Sequence, residues 1–394
     1  MNILFFPYNA YSAHKGGIAR ITCTLIDTFR EHGHTVIKLG HKKNENSVVE
    51  DELQFYLPNN TVVNCTENMD YVVALCKKHA INIVIFQNPV SSMMSFVSEL
   101  RKKVSVKIIS SLHNSVLTPV YNYAYVKEYE LKKNSKSWLF KLLKTSFCKK
   151  IMVHSYIAKY RNLYSEIIKE SDAVVVLCEG QTRELSRMCG MKNVNNVYVI
   201  PNCMNTPPMI AEKKEKLILW VGVLENSIKR PDLMLDIWDE FYNQHQDWNL
   251  AILGSGPASD ELQKISVLRG LKNIEFTGRV NPQEYYKRGS ILCVTSTHEA
   301  FPMVILEAMF NGVVPIAFDS FTSAKVLIED AVSGRLVVPF NTKRYAETLS
   351  AIVEDEQNMK KLATNAKIKA VGFTTDEVYK KWFKLFNELN QKNA

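Results

Sequence analysis

Several kinds of chemistry are missing from this 394-residue sequence. No apolar run approaches the roughly 20 residues that a membrane-crossing helix needs. Eight cysteines occur, none in a C-x-x-C pair, and Cys23, Cys178 and Cys293 lie in apolar segments. That spacing excludes a cysteine zinc site or a disulfide framework and implies reduced, buried thiols in a cytoplasmic protein. There is no D-x-D and no His/Asp cluster with metal-ligand spacing, so no metal and no other cofactor is expected. The dinucleotide fingerprint G-x-G-x-x-G is absent, which removes the nicotinamide reading. No short-period repeat is present. The opening Met1-Asn-Ile-Leu-Phe-Phe-Pro7 lacks a basic leader and reads as a first strand, not a signal peptide.

Acidic residues are scarce in one place. Between positions 126 and 161 there are ten Lys/Arg and two Glu, against a net charge of +9 for the whole chain. The remainder is therefore near neutral. Trp138, Leu139, Phe140, Leu142, Leu143 and Phe147 give this stretch an apolar side; Lys136, Lys141, Lys144, Lys149 and Lys150 give it charge. Nucleic-acid binding is one reading. A basic, aromatic-rich surface lying on anionic lipid is a second. A solvated helical face is the plain alternative.

What is there is an alternation of strands and helices. Strand-like runs fall at 2–6, 34–39, 53–57, 81–86, 104–110, 173–178 and 197–200, with helical periodicity from Gly17 to about Gly33 and at 69–79, 90–103 and 180–188. The basic stretch reads as two or three helices over 121–131, 137–149 and 154–164. Pro201-Asn202 and Pro207-Pro208 punctuate a boundary. A second alternating series follows, with strands at 216–222, 249–253, 273–276, 291–295, 314–318 and 335–338 and a final helix at 375–390. The pattern predicts two doubly wound α/β domains with a cleft between them. Ligands in such sheets bind beyond the carboxyl ends of the strands.

The candidate chemistry centres on Ser296-Thr-His-Glu-Ala-Phe-Pro-Met-Val-Ile-Leu-Glu-Ala-Met309. A helix is expected to begin at Pro302. Its N-terminus offers unpaired N–H groups to a phosphate. Glu299 on the loop and Glu307 in the helix are placed to accept hydrogen bonds from hydroxyls. Phosphate donors beside hydroxyl acceptors suit a nucleotide sugar, although two unrelated glutamates would give the same spacing. Gly16-Gly17 opens the first helix, where a backbone can approach phosphate closely. Lys229 and Arg230 sit at another strand end and can neutralise a diphosphate or be a solvated pair. Gly254-Ser-Gly-Pro257 is either a ligand-admitting loop or a tight turn. His113 ends a strand, as a hydrogen-bond partner, an acid/base or a structural residue. Asn202 caps the boundary turn or touches ligand.

In this order these residues resemble the retaining glycosyltransferases of family 4, which have the GT-B fold. The Glu299-x7-Glu307 signature, Lys229-Arg-Pro-Asp232, Gly254-Ser-Gly-Pro257 and Ile200-Pro-Asn202 carry the resemblance across essentially the whole chain. It implies two Rossmann-like domains, 1–203 for the acceptor and 204–372 for the nucleotide sugar, and a last helix, 373–394, packing back on the first. It implies that Glu299 holds donor-sugar hydroxyls and Glu307 the ribose. Backbone N–H groups around Phe301, Pro302, Met303 and Val304 would meet sugar and phosphates. Lys229 would bind the diphosphate with Gly16 and Gly17, Arg279 and Val280 would lie near the base, and His113 would approach the sugar.

One departure stands out. The family usually has an arginine where this chain has Val223, so Arg230 or Arg279 is expected to replace that cation. The resemblance implies transfer from a UDP- or GDP-sugar to a glycan or lipid-linked acceptor in surface polysaccharide biosynthesis, such as capsule or lipopolysaccharide. A lipid-linked acceptor favours the membrane reading of 126–161, on the inner face of the plasma membrane, over nucleic acid. Two other readings stay open: a glycoside hydrolase or phosphorylase using the glutamate pair, and a non-catalytic nucleotide-sugar-binding scaffold.

Overall fold

The structure is a computed structural model, and it describes residues 1–7, 17–41, 51–89, 91–192, 194–205 and 213–391. Gly16 lies outside the described residues. The chain divides into two compact units: Met1–Val116, Tyr156–Asn205 and Phe373–Ala394 form one, and Leu117–Ser155 with Thr206–Gly372 the other.

The first unit is built on a seven-stranded parallel sheet. Its strands are β1 (Asn2–Pro7), β2 (Thr35–Gly40), β3 (Gln54–Tyr56), β4 (Ile83–Gln87), β5 (Lys107–Ser111), β6 (Ala173–Val176) and β7 (Val197–Val199), in the order β3-β2-β1-β4-β5-β6-β7. Strand periodicity explains why helices cover both faces. Ile3 and Phe5 enter one core with Ile83, Ile85 and Val175, whereas Leu4 and Phe6 enter another with Val84 and Phe86. Helix Gly17–Glu31 covers the first face with Ile21, Leu25, Ile26 and Phe29, spaced to line one side. The last helix, Thr375–Gln391, joins the same core. Its Trp382 and Phe386 rings lie 5.6 and 5.4 Å from Phe29, both edge-on. Large apolar side chains buried in this way are worth roughly 1.5–3 kcal/mol each.

The second unit has a six-stranded parallel sheet. Its strands are β8 (Leu217–Val221), β9 (Asn249–Leu253), β10 (Ile274–Gly278), β11 (Ile291–Val294), β12 (Val314–Phe318) and β13 (Arg335–Val337), in the order β10-β9-β8-β11-β12-β13. Helix Pro231–Tyr242 buries Leu233, Ile237, Trp238 and Phe241 against Ile218, Trp220 and Ile252. Each sheet reverses its winding once, between β1 and β4 and between β8 and β11. The loops after those strands are where a doubly wound sheet places its ligand.

The structure departs from expectation in the basic stretch. Residues 117–155, expected in the first domain, belong to the second unit. Polar anchors explain the seat: Asn122 Nδ2 donates to Thr297 O at 2.6 Å and Ser320 O at 2.7 Å, and Glu128 pairs with Arg230 at 3.1 Å. The helices also fall differently, at Thr118–Tyr121, Tyr123–Lys133, Ser137–Leu143 and Ser146–Glu170. The last absorbs the helix expected at 154–164, since no Gly or Pro interrupts 146–170. No helix among the described residues is long and apolar enough to cross a membrane.

Candidate functional site

In the second unit two loops meet at the switch between β8 and β11. Hydroxyl groups at the end of β11 bind them together. Thr295 Oγ1 donates toward the carbonyls of Lys229 and Arg230, at 3.0 and 2.8 Å, and accepts from Trp220 Nε1 at 2.9 Å. The N–H of Thr297 donates to Ile228 O at 2.7 Å. Glu225 closes the loop from within, its Oε1 accepting the N–H groups of Ile228 and Lys229 at 3.0 and 2.9 Å. These bonds tie the nine-residue excursion 222–230 to the residues that follow β11.

That loop delivers Lys229 to the signature glutamate. Lys229 Nζ lies 2.5 Å from Glu299 Oε1, which also accepts from Ser296 Oγ at 2.7 Å. The lysine side chain is 30% exposed and the glutamate 13%, so the pair is shielded yet reachable. Helix Met303–Phe310 starts one residue later than expected, because Pro302 keeps extended backbone (φ −71°, ψ 104°) as the N-cap. The first turn still leaves N–H groups without intrahelical acceptors. Phe301 and Pro302 are buried and Met303 and Val304 half-buried. Glu307 is buried, and its Oε2 accepts from Tyr286 Oη at 2.9 Å.

Arg230 and the glycine loop look different once folded. Arg230 is engaged by the protein itself. Its residue is 1% exposed and left-handed (φ 54°), its guanidinium bridges Asp232 at 2.8 Å and Glu128 at 3.1 Å, and Nη1 donates to Tyr125 O at 2.8 Å. These bonds occupy the planar fork. Gly254 and Gly256 are explained by backbone crowding. A Cβ on Gly254 (φ 137°) would stand 1.8 Å from Gly222 O, and one on Gly256 2.4 Å from Leu224 O. The tight-turn reading therefore accounts for both without a ligand. Arg279 and Val280 follow β10 and are exposed, and Arg279 makes no ion pair among the described residues. It remains the candidate to compensate for Val223, which is 52% exposed.

In the first unit the corresponding strand ends hold a buried polar group. His113 follows β5, and its Nε2 meets Gln87 Oε1 at the end of β4 and Ser111 Oγ at 3.2 Å. His113 Nδ1 and Gln87 Nε2 are buried without a partner. Leaving such atoms unmatched costs about 1–3 kcal/mol each, and the Asn202 side chain is the polar group beside the ring. Burial pushes the His113 pKa down to about 4, and the neighbouring Asn202 side chain offsets part of that shift. The ring is neutral at neutral pH, a hydrogen-bond partner rather than a proton donor. Asn202 itself is buried. Gly17 begins the first helix, where an added Cβ would meet nothing within 4 Å.

Burial of His113 has a stability consequence. The unfolded chain takes up a proton near pH 6.5 and the folded ring only near 4, so stability is complete above the first value and is lost as pH falls toward the second. The loss amounts to at most about 3 kcal/mol. His113→Gln is expected to flatten this acid limb in urea titrations, and an unchanged acid limb would contradict the assignment.

Two residues escaped sequence reasoning. Gln87 ends an apolar strand with nothing local to mark it. His298 lies beside the central pair: burial lowers its pKa, with Glu299 opposing, Lys229 adding and Glu225 opposing. Its Nδ1 is 3.1 Å from Thr297 Oγ1. Its position next to Glu299 was the available signal.

Two doubly wound parallel sheets, with a lysine–glutamate pair at the strand ends of the second, define an α/β protein whose ligand site lies at the carboxyl ends of its strands. Comparison with known proteins agrees. The family described as "Glycosyltransferase Family 4" matches residues 15–207, and that described as "Glycosyl transferases group 1" matches 207–369. The chain belongs to the family 4 type of glycosyltransferases with the GT-B fold. Among curated relatives, an undecaprenol-linked-glycan alpha-1,4-N-acetyl-D-galactosaminyltransferase of Campylobacter jejuni is 31% identical over 184 residues, 46% of this chain and 50% of the relative. The amylovoran biosynthesis glycosyltransferase AmsD of Erwinia amylovora is 28% identical over 250 residues, 61% of this chain and 69% of the relative. The chain spans about half the length of the first curated relatives it matches, at 54% and 50%. Among solved structures, the lipopolysaccharide outer core galactosyltransferase WaaB superposes with a TM-score of 0.71 at 18% identity, covering 98% of this chain and 100% of the other. HepE of Anabaena in complex with UDP gives 0.73 at 15%, with the same coverage.

Proposed function

We propose that this protein is a retaining glycosyltransferase that moves a sugar from a nucleoside-diphosphate sugar to a glycan or lipid-linked acceptor in surface polysaccharide biosynthesis. The observation that carries the reading is Lys229 held against Glu299 at the carboxyl end of β11, beside the first turn of helix Met303–Phe310. Lys229 and the helix N–H groups stabilise charge on the departing diphosphate, and Glu299 and Glu307 accept hydroxyl hydrogen bonds. The acceptor hydroxyl attacks on the face the diphosphate leaves, and a leaving phosphate oxygen takes its proton. That route needs no enzymic nucleophile. Glu307, buried and bonded to Tyr286 Oη, is poorly suited to the nucleophile role a glycosidase would require.

One named relative acts on an undecaprenol-linked glycan, another belongs to amylovoran biosynthesis, and a structural neighbour binds UDP. These support a UDP-sugar as the first donor to test and a lipid-linked acceptor at the cytoplasmic face of the membrane, with the basic segment 126–161 turned to anionic lipid. A thermal-shift screen of UDP-, GDP- and ADP-sugars is the direct experiment. One base is expected to raise Tm by a few degrees at saturation. No shift with any nucleotide sugar would refute the donor site. Donor binding with no transfer to any glycan or lipid-linked acceptor would favour the scaffold reading.

A further inference from the structure

Glu307 is a carboxylate in an otherwise apolar setting. Its neighbours on helix Met303–Phe310, Ile305, Leu306, Ala308 and Met309, are all buried, and a buried carboxylate is costly where an apolar side chain would pack as well. A neighbouring helix holds it. Tyr286, 1% exposed, lies on helix Gln283–Arg288 and donates its hydroxyl hydrogen to Glu307 Oε2 at 2.9 Å. That helix is pinned at both ends. Asn281 Oδ1 accepts from the N–H of Gln283 at 3.1 Å, and Lys214 Nζ donates to the carbonyls of Tyr286 and Lys287 at 2.8 and 2.9 Å. The two helices are also tied to each other. Gln283 Nε2 donates to Asn311 Oδ1 at 3.0 Å, and Asn311 Nδ2 donates to Glu307 O at 2.8 Å. Backbone and carboxylate of Glu307 are thus both fixed against helix Gln283–Arg288.

We propose that Tyr286 is a positioning residue that makes the site selective for ribonucleoside over deoxyribonucleoside diphosphates: its phenol fixes Glu307 so that the carboxylate accepts from the ribose hydroxyls. This role rests on the reading of Glu307 as the ribose acceptor. A free glutamate side chain gives up rotamer freedom when it binds; one already held by a buried phenol gives up little, so more of each hydrogen bond appears as affinity. A carboxylate accepts about four hydrogen bonds, and Tyr286 takes one of them on Oε2. Neighbouring ribose hydroxyls are two donors side by side, which suits a carboxylate fork. A deoxyribose supplies one donor fewer. Glu307 is only 8% exposed, so water does not readily replace the missing hydroxyl, and a buried acceptor left without its donor discriminates strongly.

The test is calorimetric titration of the full chain with UDP and GDP, each beside its 2′-deoxy and 2′,3′-dideoxy forms. Wild type is expected to bind the 2′-deoxy form about ten-fold more weakly than the parent, and the dideoxy form more weakly still. Tyr286→Phe keeps the ring and removes the hydroxyl. It is expected to raise Kd for the parent diphosphate about ten-fold, leave Kd for the dideoxy form unchanged and lower Tm by a few degrees. Gln283→Ala, at a half-buried position, spares the core and is expected to give a smaller loss in the same pattern. In a Glu307→Gln background, Tyr286→Phe should add nothing further, because the phenol acts through the carboxylate. Loss of affinity for parent and dideoxy forms alike in Tyr286→Phe, loss for neither, or a further loss in the Glu307→Gln background overturns the role of Tyr286. Equal binding of parent and dideoxy forms by wild type overturns the ribose reading of Glu307 itself, and the role of Tyr286 with it. No binding of either diphosphate by wild type counts against the proposed donor site.

Discussion

Lys229→Ala is expected to lower kcat/KM by roughly 10²–10³-fold, and Glu299→Gln by a similar factor, with little change in Tm. The two readouts separate because the pair is shielded but still reached by solvent. A lysine 30% exposed beside a carboxylate 13% exposed contributes at most about 1 kcal/mol to folding, since solvent screens it. In a closed, donor-filled site the same ammonium faces developing negative charge on the diphosphate, where fixed charge counts for more. Alanine removes the cation. Glutamine keeps an acceptor for Ser296 Oγ but loses the charge that holds Lys229, so its lysine is left to wander. Steady-state transfer with the donor found by thermal shift measures both. Wild-type turnover in the two variants would sink the assignment, whatever their melting behaviour.

The second sheet was legible because every part of it is local. Runs such as Ile291-Leu-Cys-Val294 and Val314-Pro-Ile-Ala-Phe318 are apolar without alternation, the mark of strands covered on both faces. The glutamate signature was legible for a related reason: loop, proline and helix are consecutive in the chain, so spacing carries the geometry. What escaped depends on distant partners. Nothing near Gln87 shows that His113 will lie against it, since the two are brought together by the β4–β5 pairing Gln87↔Ser111. The seat of residues 117–155 was missed similarly, because the amide of Asn122 reaches carbonyls at 297 and 320. The partners of Arg230 were hidden for a third reason. A cation in a polar loop reads as solvent-facing or ligand-facing, and only the fold shows that Asp232, Glu128 and Tyr125 O have already taken it.

Arg230→Met is therefore expected to act on folding rather than on chemistry. The guanidinium is 1% exposed, and removing it leaves Asp232 and Glu128 in a buried setting without their shared cation. Breaking a buried pair from one side costs about 3–5 kcal/mol, which for a unit of this size is a fall in Tm of roughly 10 °C. Arg230→Met combined with Asp232→Leu is expected to recover part of that fall, because apolar groups of similar volume need no counter-charge. Arg279→Ala makes the contrast. Its side chain is exposed and unpaired among the described residues, so Tm should stay unchanged while turnover drops if it supplies the cation that Val223 does not. Calorimetry and transfer rates on the same three variants decide the matter. A stable, slow Arg230→Met would restore Arg230 as the phosphate-binding residue, and an Arg279→Ala with unaltered rate would leave Lys229 and the helix N–H groups to hold the diphosphate without an arginine.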